Sequence, residues 1–267
     1  MKIYHNFLVA IEAVTKEFIN RGKVTKSPFW QAKPTDKDMF EVYGVDFSAF
    51  MTNDIKKLQD EIKPNLPWAD IHFKERISGI PLNPGESYKE WPFYGQDKDM
   101  RKHDEKFSHT YMERFWPKRA GYTWNNVDHA GIRYNYGDLQ DIVNLLVNKP
   151  DTRQAYLPVW FPEDTGNVND VRVPCSLGYL FTQREGFLHV KYYIRSCDYL
   201  RHFRDDIYLT AKLVLWIIDA CCVQSDYWKN IKPGIFSMDI ASLHIFALEK
   251  PILEKLIVDA EAEVRSG

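Results

Sequence analysis

Cys175, directly after Pro174, and Arg195, 20 residues further on, are the two residues whose types and spacing have the clearest chemical use. A thiolate is a soft nucleophile, and a guanidinium is a permanent cation whose field favours thiolate over thiol. Such a thiolate adds well to an electron-poor carbon such as C6 of a pyrimidine, which turns C5 into a nucleophile in its turn. Ser196, Asp198, Asp206 and His244 add a hydroxyl, two carboxylates and an imidazole to the same half of the chain. By cysteine counting alone, a cysteine at the start of a strand reads as structural; the cation downstream changes that reading. The remaining cysteines, 197, 221 and 222, form no C-x-x-C pair, and no histidine cluster has zinc-finger spacing. That argues against a disulfide framework or a metal site and points to a reducing cytoplasm. Cys221 and Cys222 lie in an apolar helical run and read as small core residues.

The elements that must position these groups belong to a chain of 267 residues with 45% hydrophobic content, enough for one compact domain spanning 1–267. A formal net charge of -2 gives no electrostatic footprint for a duplex or an anionic membrane, so a free nucleotide is the easier partner and stable nucleic-acid binding is not expected. The longest apolar run, Leu213 to Val223, is broken by Asp219 and falls short of the roughly 18 residues that suggest a membrane span. The segment Met1 to Ala10 lacks the small-residue exit site of a cleavable signal.

Apolar residues Phe7, Ile11, Val14 and Phe18 predict an opening helix that stops near Gly22. Met39 to Phe50 reads as a strand bent at Gly44; helices are expected from Asp54 to Pro64 and from Trp68 to Ile77, the second carrying Glu75 near its C-terminal end. Residues 86–123 are rich in aromatics and read as an ordered insertion packed on the main body. A short helix at Leu139 to Val147, a strand at Ala155 to Phe161 and a hairpin of Leu177 to Thr182 with Phe187 to Ile194 follow. Then come a long buried helix from Ile207 to Tyr227, a strand at Ser242 to Ala247 and a final helix from about Pro251. Without a regular beta-alpha period, the fold class is α+β.

The runs Pro174-Cys175-Ser176, Arg195-Ser196-Cys197-Asp198, Asp206-Ile207 and Pro233-Gly234 through His244 resemble, in order and spacing, the pyrimidine-methylating machinery of the thymidylate synthase superfamily. Within it they are similar to the deoxycytidylate hydroxymethylases of T-even phages, whose Phe-Arg-Asn-Asp run resembles Phe203-Arg204-Asp205-Asp206. The resemblance covers about residues 134–248. It implies a mixed sheet packed with helices and a homodimer formed through the sheet with shared active sites. It further implies Cys175 as the nucleophile and Tyr136 as a tyrosine close to it. Arg195 and Ser196 would hold phosphate, Asp198 would contact the folate's pteridine and His244 the sugar 3′-hydroxyl. The family's Asp-Ser-Arg-Arg appears as Asp151-Thr152-Arg153-Gln154; Arg153 carries over as a phosphate ligand in the neighbouring subunit's site, and Arg21 or Lys23 is a candidate for the charge lost at Gln154. Glu75 is the candidate for the family's water-ordering glutamate. Phe246 replaces a sugar-contacting tyrosine and leaves deoxyribose against ribose open.

Asp206 stands where the synthases place an asparagine that reads uracil. A carboxylate accepts a hydrogen bond from cytosine's amino group, and in its protonated form also serves N3; its other reading is a helix N-cap. The resemblance therefore implies transfer of a one-carbon unit from 5,10-methylene-tetrahydrofolate, without a metal, to C5 of dCMP, in a cytoplasm that is a phage host's if the chain is phage-encoded. Ser176 in place of a histidine, and the C-terminal Glu263 to Gly267 in place of an apolar closing tail, favour water over hydride as the final reactant, giving 5-hydroxymethyl-dCMP. The readings left open are a thymidylate synthase acting on dUMP, a CMP hydroxymethylase, and an inactive homologue that binds nucleotide or RNA.

Overall fold

The computed structural model describes residues 3–26, 29–30, 33–34, 37–93, 106–120, 123–124, 127–128, 137–165 and 172–255. Its strands are β1 (Ile3–Tyr4), β2 (Lys23–Thr25), β3 (Phe29–Trp30), β4 (Lys33–Pro34), β5 (Met39–Phe50), β6 (Thr123–Trp124), β7 (Val127–Asp128), β8 (Tyr156–Pro158), β9 (Ser176–Arg184), β10 (Phe187–Ile194), β11 (Cys197–Asp198) and β12 (Lys232–Phe246). Its helices are α1 (Phe7–Arg21), α2 (Ile55–Ile62), α3 (Trp68–Ile77), α4 (Tyr111–Phe115), α5 (Pro117–Ala120), α6 (Leu139–Asn148), α7 (Pro162–Thr165) and α8 (Arg204–Gln224).

One mixed eight-stranded sheet runs in the order β1-β5-β12-β10-β9-β8, with β2 also paired to β5 and β11 to β12. β5 and β9 are antiparallel to their neighbours β12 and β10, whereas β10 and β11 lie parallel to β12. Helices beside such a sheet make an α+β fold. Residues alternate along the strands: Phe236, Met238 and Ile240 of β12 and Val190, Tyr192 and Ile194 of β10 are buried, while the residues between them are half-exposed. The buried face joins α1 and α8 in one core whose largest fully buried side chains include Trp228, Tyr179, Tyr192 and Tyr208. Among the described residues no helix is long and apolar enough to cross a membrane.

Local chemistry explains most boundaries. Asn6, Asp54 and Asp138 cap α1, α2 and α6 by accepting from backbone N–H groups in the first turn. Gly44 takes φ +67, which gives β5 its bend, and Glu185 and Gly186 both take positive φ in the two-residue turn of the β9–β10 hairpin. The long helix starts at Arg204, three residues ahead of the expected Ile207, because a π-helical turn at Tyr199–Phe203 leads directly into it. β12 is far longer than the expected strand at Ser242 to Ala247 and takes in Pro233-Gly234. The strand expected over Ala155 to Phe161 shortens to β8.

Candidate active site

The hairpin accounts for the 20-residue spacing of Cys175 and Arg195. Cys175 immediately precedes β9 and Arg195 immediately follows β10, so antiparallel pairing brings them together, and the Arg195 N–H donates to the Cys175 carbonyl at 2.9 Å. β12 continues the arrangement: Ser242 N–H donates to the Arg195 carbonyl at 3.1 Å, and β11 sets Asp198 beside His244. Four strands, β9 to β12, thus deliver Cys175, Arg195, Asp198 and His244 to one region of the sheet. Ser196 is half-buried between Arg195 and β11.

Arg195 is built into the chain segment that carries Cys175. Its Nε donates to the Pro174 carbonyl at 2.9 Å, one terminal nitrogen donates to Val173 at 3.2 Å, and the guanidinium lies 5.3 Å from the centre of the Trp160 ring. Its charge does not by itself make a thiolate. Burial pushes the half-buried Cys175 thiol up, as do the carboxyls of Asp206 and Asp198, against the opposing fields of Arg195 and Arg172. The expected activation by Arg195 is present but outweighed. Ser176 is fully buried, its hydroxyl held between Tyr111 (2.8 Å) and Tyr192 (2.6 Å).

Asp206 stands in the first turn of α8, half-buried, with its Oδ2 4.0 Å from the Cys197 sulfur. It does not cap the helix. The capping role belongs to Asp198, whose Oδ1 accepts from Leu200 N–H at 3.1 Å and Arg201 N–H at 3.0 Å, because the helical path begins at the π turn. Burial raises the Asp206 carboxyl to about 7, with Arg76 opposing and the neighbouring Asp205 adding to the rise. Asp205 itself is structural: it accepts from both the backbone and the side chain of Asn65, each at 2.8 Å. Asp198 also receives Arg201 at 3.0 Å, and Arg201 reaches on to Glu249 at 2.6 Å. His244 is half-buried and kept towards its neutral form by burial, against the pull of Asp198 and Glu41.

Glu75 is buried at 9% exposure, and both its oxygens face the 3-10 turn Glu86–Glu90: Oε1 accepts from Ser87 N–H at 3.0 Å and Oε2 from the Ser87 hydroxyl. Gly85 makes this approach possible, since a Cβ there would collide with the carboxylate. Arg153 is exposed in the loop before β8, and Arg21 is engaged by Glu17 and by the Tyr43 carbonyl at 3.3 Å; Lys23 is exposed. Tyr136 lies outside the described residues.

Four groups near the site were missing from the sequence reading. Arg76 is only 4% exposed, stands over the Tyr111 ring at 4.0 Å, and has no acceptor for its Nε among the described residues. Arg172, three residues before Cys175, adds a cation to the surroundings of that thiol. Tyr111 and His72 line a cavity of about 150 Å³, with Trp68, Trp91, Arg172 and His202 also in its wall. Trp91 stacks on His202 at 5.5 Å, and its Nε1 has no partner among the described residues. Flat aromatic walls suit a planar ring. The described parts of the aromatic insertion, residues 86–93 and 106–120, therefore pack on α3 and help to wall this cavity. His72 and Arg76 lie close in sequence to Glu75 and Arg172 to Cys175, and Tyr111 and Trp91 belong to the aromatic-rich segment 86–123; the fold carries the rest.

A family model described as Thymidylate synthase matches residues 91–261, more than half of the chain. Over 147 residues the chain is 27% identical to a bifunctional dihydrofolate reductase-thymidylate synthase of Paramecium tetraurelia, a match covering 51% of this chain and 29% of that protein. Over 116 residues it is 25% identical to a putative thymidylate synthase of Methanosarcina barkeri, covering 43% of this chain and 49% of the relative. The chain therefore matches about half or less of the length of these curated relatives.

Proposed function

Since this chain belongs to the thymidylate synthase family, we propose that it transfers a one-carbon unit from 5,10-methylene-tetrahydrofolate to C5 of dCMP and releases 5-hydroxymethyl-dCMP. The observation that carries the choice of cytosine is the Asp206 carboxyl, held at about 7 by burial close to the nucleophile. Ionised, it can only accept, which suits cytosine's amino group and opposes uracil's O4; in its neutral form its hydroxyl also serves cytosine's N3.

Cys175 adds to C6 of the ring as the thiolate, its thiol proton passing to solvent; Arg195 and Arg172 oppose the burial that holds the thiol protonated. Among the described residues Arg195 keeps one terminal nitrogen beyond its two carbonyl contacts, and with Ser196 it supplies the phosphate contact. Arg172, in the same surroundings, takes the place of the cation lost at Gln154. His244 contacts the sugar. The folate supplies the one-carbon unit, its pterin stacked in the cavity walled by Trp68 and Trp91, and Asp198 keeps an accepting position for it beyond its cap and its ion pair. Tyr136 keeps the catalytic role that the resemblance implies for it. Strands from residue 3 to residue 246 share one sheet, which supports one catalytic unit over 1–267. The active form is a homodimer, with Arg153 from one copy completing the other's phosphate site.

A second reading, methylation of dUMP, is favoured by the names of the two relatives. Mass spectrometry of dCMP, dUMP and CMP incubated separately with the protein and methylene-tetrahydrofolate separates them. The first reading expects a hydroxymethyl group on dCMP, and D206N is expected to move preference towards dUMP by about tenfold or more. A methyl group on dUMP from the parent protein would overturn it in favour of the second.

A further inference from the structure

Glu75 cannot deliver water to a pyrimidine from where it sits, because its oxygens point into the Ser87 turn and Gly85 closes over the carboxylate. His72, one turn earlier on the same face of α3, lines the cavity that Glu75 does not reach. The cavity extends to Tyr111, whose hydroxyl lies 2.8 Å from that of Ser176, the residue after the nucleophile.

The hydrogen bonds fix which nitrogen of His72 is free. Ser87 has a single hydroxyl proton, and an ionised carboxylate can only accept, so that proton is directed to Glu75 Oε2. The contact of Ser87 Oγ with His72 Nδ1 at 3.0 Å must then run the other way, with Nδ1–H donating. Nε2 is left with a bare lone pair. The ring is held by stacking on Trp68, with centroids 4.9 Å apart and planes at 15°. Burial works against ionised Glu75, but the contacts from His72 and Ser87 outweigh it and hold the carboxyl below its ordinary range. Burial, reinforced by Arg76, keeps the imidazole neutral down to about pH 4 against the opposing pull of Glu75.

We propose that His72 is the general base that delivers water to the exocyclic methylene of the Cys175-linked pyrimidine, and that Glu75 is a positioning residue acting on it through Ser87. The proposal rests on the hydroxymethylase reading. In the step, Nε2 removes a proton as the water oxygen bonds to the methylene carbon. The exocyclic double bond shifts into the ring, its electron pair moving to N3. That pair then returns to restore C5=C6 and breaks the bond from C6 to sulfur. The proton ends on His72 and the electron pair on Cys175.

The test uses dCMP tritiated at C5, whose tritium is released before water is captured. In a single turnover H72Q should release tritium and form the Cys175 adduct at near the parent rate, while hydroxymethyl-dCMP formation falls by about a hundredfold or more. Product formed by H72Q at the parent rate would overturn the proposal. A parent protein that yields no hydroxymethylated product would overturn the function reading, and this proposal with it. S87A guards against misfolding of H72Q: it leaves the base but frees its tautomer, so kcat should fall about tenfold with KM for dCMP unchanged. E75Q should also move the acid limb of the kcat profile, since Glu75 and Arg76 act on His72 directly, while Tyr88, His109, Tyr111, Arg172 and His202 are the other titratable and charged groups in the wall of its cavity. If both variants leave kcat and the acid limb unmoved, the coupling through Ser87 is wrong.

Discussion

A carboxyl that titrates near neutrality has a consequence for the fold as well as for recognition. Asp206 ionises at about 3.8 in a solvated chain and at about 7 in the folded protein. Below both values the folded and unfolded chains carry the same proton, and stability is unaffected. Between them the unfolded chain releases a proton that the folded one keeps, so stability falls as pH rises, and above about 7 the loss is complete. D206N removes the ionisable group. It should therefore be more stable than the parent by a gap that opens between about pH 4 and about pH 7 and reaches on the order of 3 kcal/mol, read from urea melts at the two ends of that range. A gap already full at the acid end would mean that Asp206 ionises freely. The thiol follows the same logic: with burial raising it, Cys175 should be alkylated by iodoacetamide more slowly than a free cysteine at about pH 8, and should speed up only at a higher pH than a free cysteine does. Peptide mapping by mass spectrometry reads that rate. Cys175, Arg195, Asp198, Asp206 and His244 were legible because their order and spacing lie along a single stretch of chain. His72 and Arg76 were not, because a polar residue beside Lys74 on a helix reads as solvated; only the packing of α4 on α3 buries Arg76 to 4% exposure.

The start of α8 decides where Asp206 stands. Asp198 begins the π turn, Arg201 within that turn pairs with Asp198 and Glu249, and the helix follows without a break. Replacing Arg201 with methionine leaves two largely buried carboxylates without their cation, which costs about 3 kcal/mol. The R201M variant should lose that much stability in denaturant melts and lose dCMP affinity besides, because the turn that sets Asp206 is no longer tied down. An unchanged melting curve would show that the pair is only a surface contact. The helices were readable from apolar spacing and from caps such as Asn6 and Asp54, since both signals are local. β12 was not. Pro233-Gly234 reads as a turn, yet it lies within the strand at a register shift opposite Leu188 and Val190, where Ile235 N–H donates to His189 Nδ1 at 3.0 Å. A bulge accommodated by a neighbouring strand leaves no local signature.

The sheet has one face against α1 and α8, while the other carries Tyr43, Phe50 and Tyr156 at 64%, 50% and 39% exposure among polar partners such as Lys191 and Asp239. Apolar residues exposed along the strands of a sheet mark a surface for another protein copy more readily than for solvent. Arg153 supports this at the molecular scale, because it is exposed three residues before Tyr156 on the edge strand β8 and, among the described residues, makes no ion pair within its own chain. A second copy stacked on this face in a two-fold arrangement would offer its Arg153 to the first copy's phosphate, and the reverse. Sedimentation should then give a dimer, but mass alone does not show that sites are shared. Complementation does. C175A has no nucleophile and R153A lacks the donated cation, so each homodimer is deficient at both of its sites. Mixing the two by reversible dissociation makes about half of the dimers mixed, and each mixed dimer has one site with Cys175 and the partner's Arg153 intact. Activity should recover to about a quarter of the parent value in steady-state assays. If each chain completes its own site, the mixture would show only the sum of its deficient parts.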